Sequence, residues 1–391
     1  MTPVSGAGRA TVHLAPWVVP IAAPPIRDGA VVLDNRGVVT AVGRATHLRT
    51  LGEVREHQAV LLPGLVNAHA HLELSHLAGR VPGGDGLAAW IRRLLALRDS
   101  EPGLNNLSQV IDSARAAALA MAARGTVAVA DVTNGGQVAG LLLEAGLDVL
   151  VLDERIAPRG LPAPSRPGAI PTAHATYTCG VPSLRALAAA AGGRLASIHV
   201  EEDPAEAAYL LEGRGPLADL LDERNARPEG TPCGLRPVAW LDALQLIGPG
   251  TLLVHLTCAD DASLALAARL GATAVLCPRS NLHISDRLPP VARIRAAGLR
   301  VALGTDSLAS SPSLDVLGEV ATLAKAGADP AWLLNAATLD GAHALGFRHL
   351  GALQPGLRPG LLALGINERS LENPVAFIAH EGASAPATRL A

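Results

Sequence analysis

The sequence is poor in lysine and has no concentrated positive charge. It contains one lysine, Lys325, in 391 residues, which excludes any mechanism that needs a lysine amine elsewhere. The formal net charge is −3, and lysine and arginine form no block. Such a chain lacks the basic surface by which proteins bind nucleic acids or anionic membranes. We therefore expect no nucleic-acid partner and no membrane partner.

Cysteines and long apolar runs are also scarce. The four cysteines lie far apart without a Cys-x-x-Cys pair, which argues against a disulfide framework or a zinc knuckle and favours reduced, buried thiols. Arg, Asp or Gly interrupts each apolar stretch before about 18 residues, the length that a membrane span needs. Residues 1–25 lack the basic and apolar regions of a secretory signal peptide. These absences predict a cytoplasmic protein.

Apolar residues are abundant, and their pattern changes along the chain. They make up 49% of the residues, which excludes a disordered chain, and the length suits one large α/β barrel or two to three average domains. Residues 11–60 hold short β-like runs broken by Gly and Asp-Asn turns, without a convincing helix. Gly351–Phe377 again has short strand-like runs interrupted by Gly and Pro. We predict a small composite β-sandwich domain built from residues 1–60 and 349–391.

Between these ends, apolar β-branched runs alternate with helical segments rich in alanine and leucine. Strands that are apolar at nearly every position are buried on both faces, as in a parallel sheet. Eight such runs predict a (β/α)8 TIM barrel over residues 61–348, with segments 157–171 and 213–234 as loops. The predicted strands are Leu61–Asn67, Thr126–Asp131, Leu147–Asp153, Ala169–His174, Leu195–Val200, Thr251–Leu256, Thr273–Cys277 and Arg300–Thr305.

Polar residues occur where these strands end, and the chemistry of such a barrel lies at the carboxyl ends of its strands. His69 and His71 end the first strand, and a spacing of two points both side chains to one face. A single histidine there could equally bond a backbone carbonyl, but the pair favours a shared ion. His199, His255 and Asp306 end later strands. Three imidazoles and one carboxylate, with a place left for water, are the ligand set of a catalytic metal site.

The sequence resembles the amidohydrolase superfamily over essentially the whole chain. The resemblance lies in five motifs in this order: PGLVNAHAHLE, IHVEE, LLVHLTC, CPRSNLHI and LGTDS. They are most similar to the aminohydrolase branch of cytosine, guanine and S-adenosylhomocysteine deaminases and chlorohydrolases. The resemblance implies that His69, His71, His199 and Asp306 hold one divalent metal ion per chain, zinc or iron.

The same resemblance implies that Glu202 is the proton shuttle and that His255 lies beside the water that the metal activates. Asp306, as a ligand of that metal, can also act as the base that takes the proton of the water. Elementary chemistry agrees, because a carboxylic acid can protonate a ring nitrogen and an imidazole can stabilise a tetrahedral oxygen. Glu202 could instead be a solvated acid at the start of the next helix. Binuclear relatives bridge their metals with a carboxylated lysine after strand 4, and the position of Lys325 therefore predicts a mononuclear site.

Substrate contacts are less specific. His174 lies in a segment similar to a His-x-x-Tyr-Thr segment of these deaminases, and we expect it to contact the substrate rather than the core. Glu73 would bind the purine or ribose, or would orient His69 or His71. Asn281 would line the pocket, as His283 would, or would form a turn. A substrate carboxylate would need an arginine. The candidates for that contact are Arg92, Arg93, Arg98 and Arg155.

The segments APWVVPIAAPPIRDGAV, HAHLELSHLAG and CPRSNLHI are most similar to the aminodeoxyfutalosine deaminases. The resemblance therefore implies hydrolysis of 6-aminodeoxyfutalosine at C6, by water that the metal activates, to futalosine and ammonia in menaquinone biosynthesis. The alternatives are a deaminase or chlorohydrolase for S-adenosylhomocysteine, methylthioadenosine, guanine, a pterin or a triazine, and a non-catalytic barrel scaffold. Each enzyme has a small-molecule substrate. If the chain associates with itself, a homodimer is expected, since dimers are the commonest homo-oligomers.

Overall fold

The computed structural model describes residues 10–101, 103, 106–368 and 372–391. Its contacts divide the chain into two compact units: the described residues of 1–66, 121–127 and 315–391 form one, and those of 67–120 and 128–314 form the other. This division by contacts does not test the predicted domain boundaries after residues 60 and 348, which stay predictions. None of the helices among the described residues combines the length and the apolar character that a bilayer span requires.

Strands and helices alternate through most of the described chain. The strands are β1 (Thr11–Val18), β2 (Ile26–Leu33), β3 (Val39–Arg44), β4 (Glu53–Glu56), β5 (Ala59–Leu62), β6 (Leu65–Ala70), β7 (Thr126–Thr133), β8 (Asp148–Arg155), β9 (Ile170–Ala173), β10 (Ser197–Val200), β11 (Leu252–His255), β12 (Thr273–Leu276), β13 (Arg300–Leu303), β14 (Leu362–Gly365) and β15 (Ala387–Arg389).

The helices with described bounds are α1 (Ala45–Leu48), α2 (Leu87–Ser100), α3 (Leu107–Ala123), α4 (Ala139–Glu144), α5 (Val181–Ala190), α6 (Pro204–Glu212), α7 (Pro216–Glu223), α8 (Pro237–Ala243), α9 (Asp261–Leu270), α10 (Pro278–Ser285), α11 (Val291–Ala296), α12 (Val316–Lys325), α13 (Pro330–Ala336), α14 (Leu339–Ala344) and α15 (Pro374–Glu381). A 3₁₀ helix covers Leu72–Leu77.

Strands from both ends of the chain share one seven-stranded sheet. Its order is β15-β14-β5-β1-β2-β3, and β4 pairs with β1. Neighbours β1, β2 and β3 are antiparallel, as the short runs and turns predict, and β14 runs antiparallel to β5. One face of this sheet buries a cluster that includes Val31, Leu61 and Leu361. Apolar residues far apart in sequence thus form a common core.

The other strands form two four-stranded sheets, β6-β7-β8-β9 and β10-β11-β12-β13. Strands β7 to β9 run parallel, as do β10 to β13. Every residue of β7, β10, β11 and β12 is buried, which explains why their sequences are apolar at nearly every position. Parallel bridges join Ala70 to Asp306 and Ala175 to His199, so each end strand of one sheet reaches an end strand of the other.

The structure corrects several local predictions. The first predicted strand is two strands, because Pro63 and Gly64 interrupt it between β5 and β6. A short helix, α1, occurs within residues 11–60, and α7 occupies part of the predicted loop 213–234. Glycines and prolines on both sides conceal the amphipathic pattern of α7. Asn281 and His283 lie in helix α10 rather than in a turn.

The close packing at Gly304 generates a prediction. A Cβ added there would lie 2.7 Å from Cβ of His69 and 3.0 Å from its carbonyl oxygen. We expect Gly304→Ala to lower the free energy of unfolding by about 1–3 kcal/mol, because overpacked interiors must shift. Urea denaturation measures this. Gly140→Ala in α4 is the control, because its Cβ meets no atom within 4 Å. Equal stability of both variants would contradict the packing argument.

Candidate active site

Three histidine side chains converge on one point. His69 lies near the end of β6, His71 directly follows that strand, and His199 lies in β10. Nε2 of His199 is 3.2 Å from Nε2 of His69 and 3.3 Å from Nε2 of His71. A tetrahedral zinc ion with ligand bonds of about 2.0–2.1 Å holds its nitrogen ligands roughly 3.3 Å apart. The spacing therefore fits three imidazoles that share a single ion.

The protonation states of His69 and His199 suit metal binding. Burial lowers the pKa of His69 and His199 well below the ordinary value, and the neighbouring imidazoles add to this effect. Nδ1 of His199 lies 2.7 Å from the carbonyl oxygen of His174. A carbonyl only accepts, so Nδ1 carries the hydrogen and Nε2 keeps its lone pair. Neutral imidazoles of this kind are the form that binds metal.

Asp306 brings a carboxylate to the same place. Its Oδ1 is 3.7 Å from Nε2 of His71 and 4.0 Å from Nε2 of His69. Its Oδ2 accepts hydrogen bonds from the hydroxyls of Ser280, at 2.5 Å, and Ser310, at 3.1 Å. These serines leave Oδ1 facing the histidines. Sequence reasoning did not identify the serines, although Ser280 belongs to the motif CPRSNLHI.

Glu202 and His255 form a second pair beside the histidine cluster. Glu202 is buried, and Oε1 lies 3.6 Å from Nε2 of His255. Burial raises the pKa of Glu202 well above its ordinary value, and the nearby charge of Asp306 adds to it. Burial lowers the pKa of His255 to about 4. Burial therefore favours the protonated form of Glu202 and the neutral form of His255.

Asn281 positions the imidazole of His255. Its Nδ2 lies 3.0 Å from Nδ1 of His255 and donates to it. Nδ1 is then an acceptor, so Nε2 of His255 carries the hydrogen and is a donor. Asn281 was predicted to line the pocket. Among the described residues it contacts His255 and does not itself line the cavity.

A cavity of about 280 Å³ opens onto these groups. Its polar end is formed by His71, His199, Glu202, His255 and Asp306, with His174 beside them. Its apolar wall comes from α2, α7 and α10. The apolar lining residues on these three helices include Leu87, Trp90, Ile91, Leu94, Leu217, Leu220, Leu221 and Ile284. A flat ring with an apolar extension would match this division.

His174 lies in this lining, as expected of a substrate contact. Its Nδ1 is 2.8 Å from the hydroxyl of Thr178, and its ring lies 4.9 Å from the ring of His199. Burial lowers the pKa of His174, so the ring is neutral. Nδ1 is occupied by Thr178, which leaves Nε2 to contact a ligand.

Glu73 and Arg155 hold loops instead of lining the cavity. The carboxylate of Glu73 accepts from the backbone N–H groups of Asn134, Gly135 and Gly136 at 2.7–3.0 Å. Arg155 donates to Asp153 at 2.6 Å and to carbonyls of the loop after β8. Both side chains satisfy backbone groups that a surface loop would otherwise leave unpaired. The structure therefore does not bring them to the cavity.

Sequence reasoning also missed Glu154. This residue lies near the end of β8, is buried and lines the cavity. Its Oε2 accepts from Asn134 at 3.0 Å, while Oε1 has no hydrogen-bond partner among the described residues. The strand-end rule that identified His199 could have identified it too.

Known proteins are similar to this chain in sequence over most of its length. The model of the amidohydrolase family matches residues 60–383. A 5-methylthioadenosine/S-adenosylhomocysteine deaminase of Teredinibacter turnerae is 27% identical over 94% of this chain and 87% of its own. An aminodeoxyfutalosine deaminase of Deinococcus radiodurans is 37% identical over 45% of this chain and 44% of its own.

A solved structure is similar across nearly the whole fold. It is the crystal structure of an adenosine deaminase from Xanthomonas campestris with bound zinc. This structure has a TM-score of 0.77 and 26% identity and covers 95% of this chain and 88% of its own.

The histidine cluster generates a prediction about metal content. We expect His71→Ala to weaken zinc binding by more than about 100-fold. Loss of a residue that only hydrogen-bonds to a metal ligand typically weakens binding by roughly 10–100-fold, and loss of the ligand itself should cost more. Elemental analysis and a competitive zinc titration measure this. His343→Ala is the control, because His343 is an exposed histidine of α14 that belongs to neither group of potential metal ligands. Unchanged zinc affinity in His71→Ala would remove that residue from the ligand set.

Proposed function

This chain belongs to the amidohydrolase family, and from that premise we propose that it is a metal-dependent hydrolytic deaminase of purine nucleosides. The observation that carries the proposal is the position of a buried carboxyl group, Glu202, beside a cluster of metal-type ligands at one end of an otherwise apolar cavity. Hydrolytic deamination needs both an activated water and a proton for the departing ammonia. The cavity has groups for each task.

We propose that His69, His71, His199 and Asp306 hold one divalent ion, zinc or iron. The convergence of three imidazoles and a carboxylate supports this ligand set, and cysteine thiolates are absent from it. Such an ion lowers the pKa of a bound water to about 7 and so supplies a nucleophile at neutral pH. The zinc in the Xanthomonas campestris deaminase is consistent with this expectation.

The protein groups then have defined tasks. Oδ1 of Asp306 accepts the proton of the attacking water, because Oδ2 is already bonded to two serine hydroxyls. The carboxylic acid of Glu202 protonates the ring nitrogen beside the attacked carbon and becomes a carboxylate. It then takes the remaining proton of the added water and delivers it to the departing ammonia. The proton held by Asp306 restores the acid at the end of the cycle. Nε2–H of His255 donates to the oxygen that develops on that carbon. Asn281 keeps this hydrogen on Nε2.

We further propose that 6-aminodeoxyfutalosine is the substrate and that the reaction belongs to menaquinone biosynthesis. The similarity to the Deinococcus radiodurans enzyme over 45% of this chain supports this choice. A second candidate is methylthioadenosine or S-adenosylhomocysteine, because the Teredinibacter turnerae relative matches 94% of the chain. Both candidates share the adenine that the polar end of the cavity would bind.

We also propose that the two parallel sheets close into one eight-stranded barrel. The bridges Ala70–Asp306 and Ala175–His199 support closure at both seams. The seven-stranded sheet, which contains strands from both chain ends, supports a composite β domain.

A substrate panel tests the activity. Conversion of adenine to hypoxanthine changes ultraviolet absorbance, and kcat/KM ranks the compounds on one metal-loaded sample. We expect 6-aminodeoxyfutalosine to rank above S-adenosylhomocysteine, methylthioadenosine and adenosine. Turnover of guanine or a triazine, with adenine nucleosides inert, would overturn the proposal.

Glu202→Gln tests the proton shuttle. The amide keeps the shape of the side chain but cannot transfer the acid proton, so kcat should fall by about 10²–10⁴-fold. Metal content should stay unchanged, because Glu202 is not a ligand. Glu212→Gln, at the exposed end of α6, should have the wild-type rate. A Glu202→Gln enzyme with near wild-type kcat would exclude Glu202 from this role.

A further inference from the structure

An arginine lines the cavity on the helix that provides much of its apolar wall. Arg98, near the end of α2, lines the cavity together with Leu94, Leu95 and Leu221. Arg224 also lines it, but that residue is exposed to solvent. Helices α2 and α7 pack against each other and provide most of this wall. A positive charge in such surroundings requires a compensating partner.

Arg98 has little compensation within the protein. Its Nε is buried and has no hydrogen-bond partner among the described residues. Burial lowers the pKa of this guanidinium, and Glu73 is the acidic group whose charge opposes that effect. The carboxylate of Glu73 is already occupied by backbone N–H groups of residues 134–136. A donor that is buried and unpaired costs free energy unless a ligand satisfies it.

The other arginines that the sequence suggested for this task have partners. Arg92 donates to both oxygens of Glu223, at 2.7 and 3.0 Å. Arg93 pairs with Asp85 and donates to the carbonyl oxygen of Pro82. Arg155 is bonded to Asp153. The structure therefore separates Arg98 from these three, although periodicity alone could not.

We propose that Arg98 is a specificity-determining residue that binds an anionic group, a carboxylate, on the arm of the nucleoside substrate. The arm would lie along the apolar wall of α2 and α7 while the purine lies at the polar end. A planar guanidinium binds a carboxylate through two parallel hydrogen bonds, which fixes direction as well as charge. The inference rests on the proposed nucleoside deaminase activity and adds the chemical class of the arm.

The test compares two substrates that differ only in this charge. One is 6-aminodeoxyfutalosine, and the other is its methyl ester, in which the carboxylate is neutral. We expect Arg98→Met to lower kcat/KM for the carboxylate about 100-fold, as loss of a charge-assisted pair of hydrogen bonds implies. The ester should change less than about threefold. Arg98→Lys should recover part of the loss, because lysine keeps the charge but not the paired geometry.

Arg92→Met is the matched control, because Arg92 lies on the same helix and pairs with Glu223 at the surface. It should leave the ratio of the two substrates unchanged. Equal losses for carboxylate and ester in Arg98→Met would overturn the inference, since they would indicate a structural role. An unchanged ratio would overturn it as well. If the wild-type enzyme deaminates neither compound, the proposed function is contradicted instead. In that case, calorimetry would still test Arg98 by comparing the affinity of wild type and of Arg98→Met for the carboxylate compound.

Discussion

The site depends on main-chain hydrogen bonds that hold the end of β6 against the end of β13. The carbonyl oxygen of His69 accepts from the backbone N–H groups of Thr305, at 2.9 Å, and Asp306, at 3.1 Å. Asn67 adds a side-chain bond to the hydroxyl of Thr305 at 2.7 Å. These bonds fix the positions of His69 and Asp306 before any ion is considered. Because these two residues are already held in place, little further conformational entropy is lost when their side chains bind the same ligand.

The backbone adopts unusual conformations at the carboxyl ends of the strands, where the functional residues lie. Glu201, His255 and Asp306 have φ angles of 50°, 79° and 58°, in the left-handed region that side chains with a Cβ rarely adopt. Such conformations cost on the order of 1–3 kcal/mol each and persist only where other contacts impose them. Glu201 provides one such contact through its ion pair with Arg236 at 2.9 Å. His255 and Asp306 themselves, and Glu202, which follows Glu201, line the cavity.

Much of this arrangement could be predicted because it follows from strand ends and residue type. The spacing of His69 and His71 and the late Asp306 sufficed to predict a common site, and the resemblance to the amidohydrolases is confirmed. The partners of those residues could not be predicted, since Ser280 and Asn281 meet Asp306 and His255 only through long-range packing. Glu73 has a carboxylate that could contact a ligand, but that carboxylate already accepts hydrogen bonds from the backbone N–H groups of residues 134–136. Helix α7 was missed because its flanking glycines and prolines are also typical of loops.

The central claim is that three imidazoles and one carboxylate bind a single metal ion. X-ray absorption at the zinc edge of protein loaded with one equivalent of zinc tests it most directly. The claim predicts nitrogen and oxygen ligands at about 2.0–2.1 Å, with multiple scattering from three imidazole rings. A sulfur shell at about 2.3 Å, or scattering from fewer than two imidazoles, would contradict it.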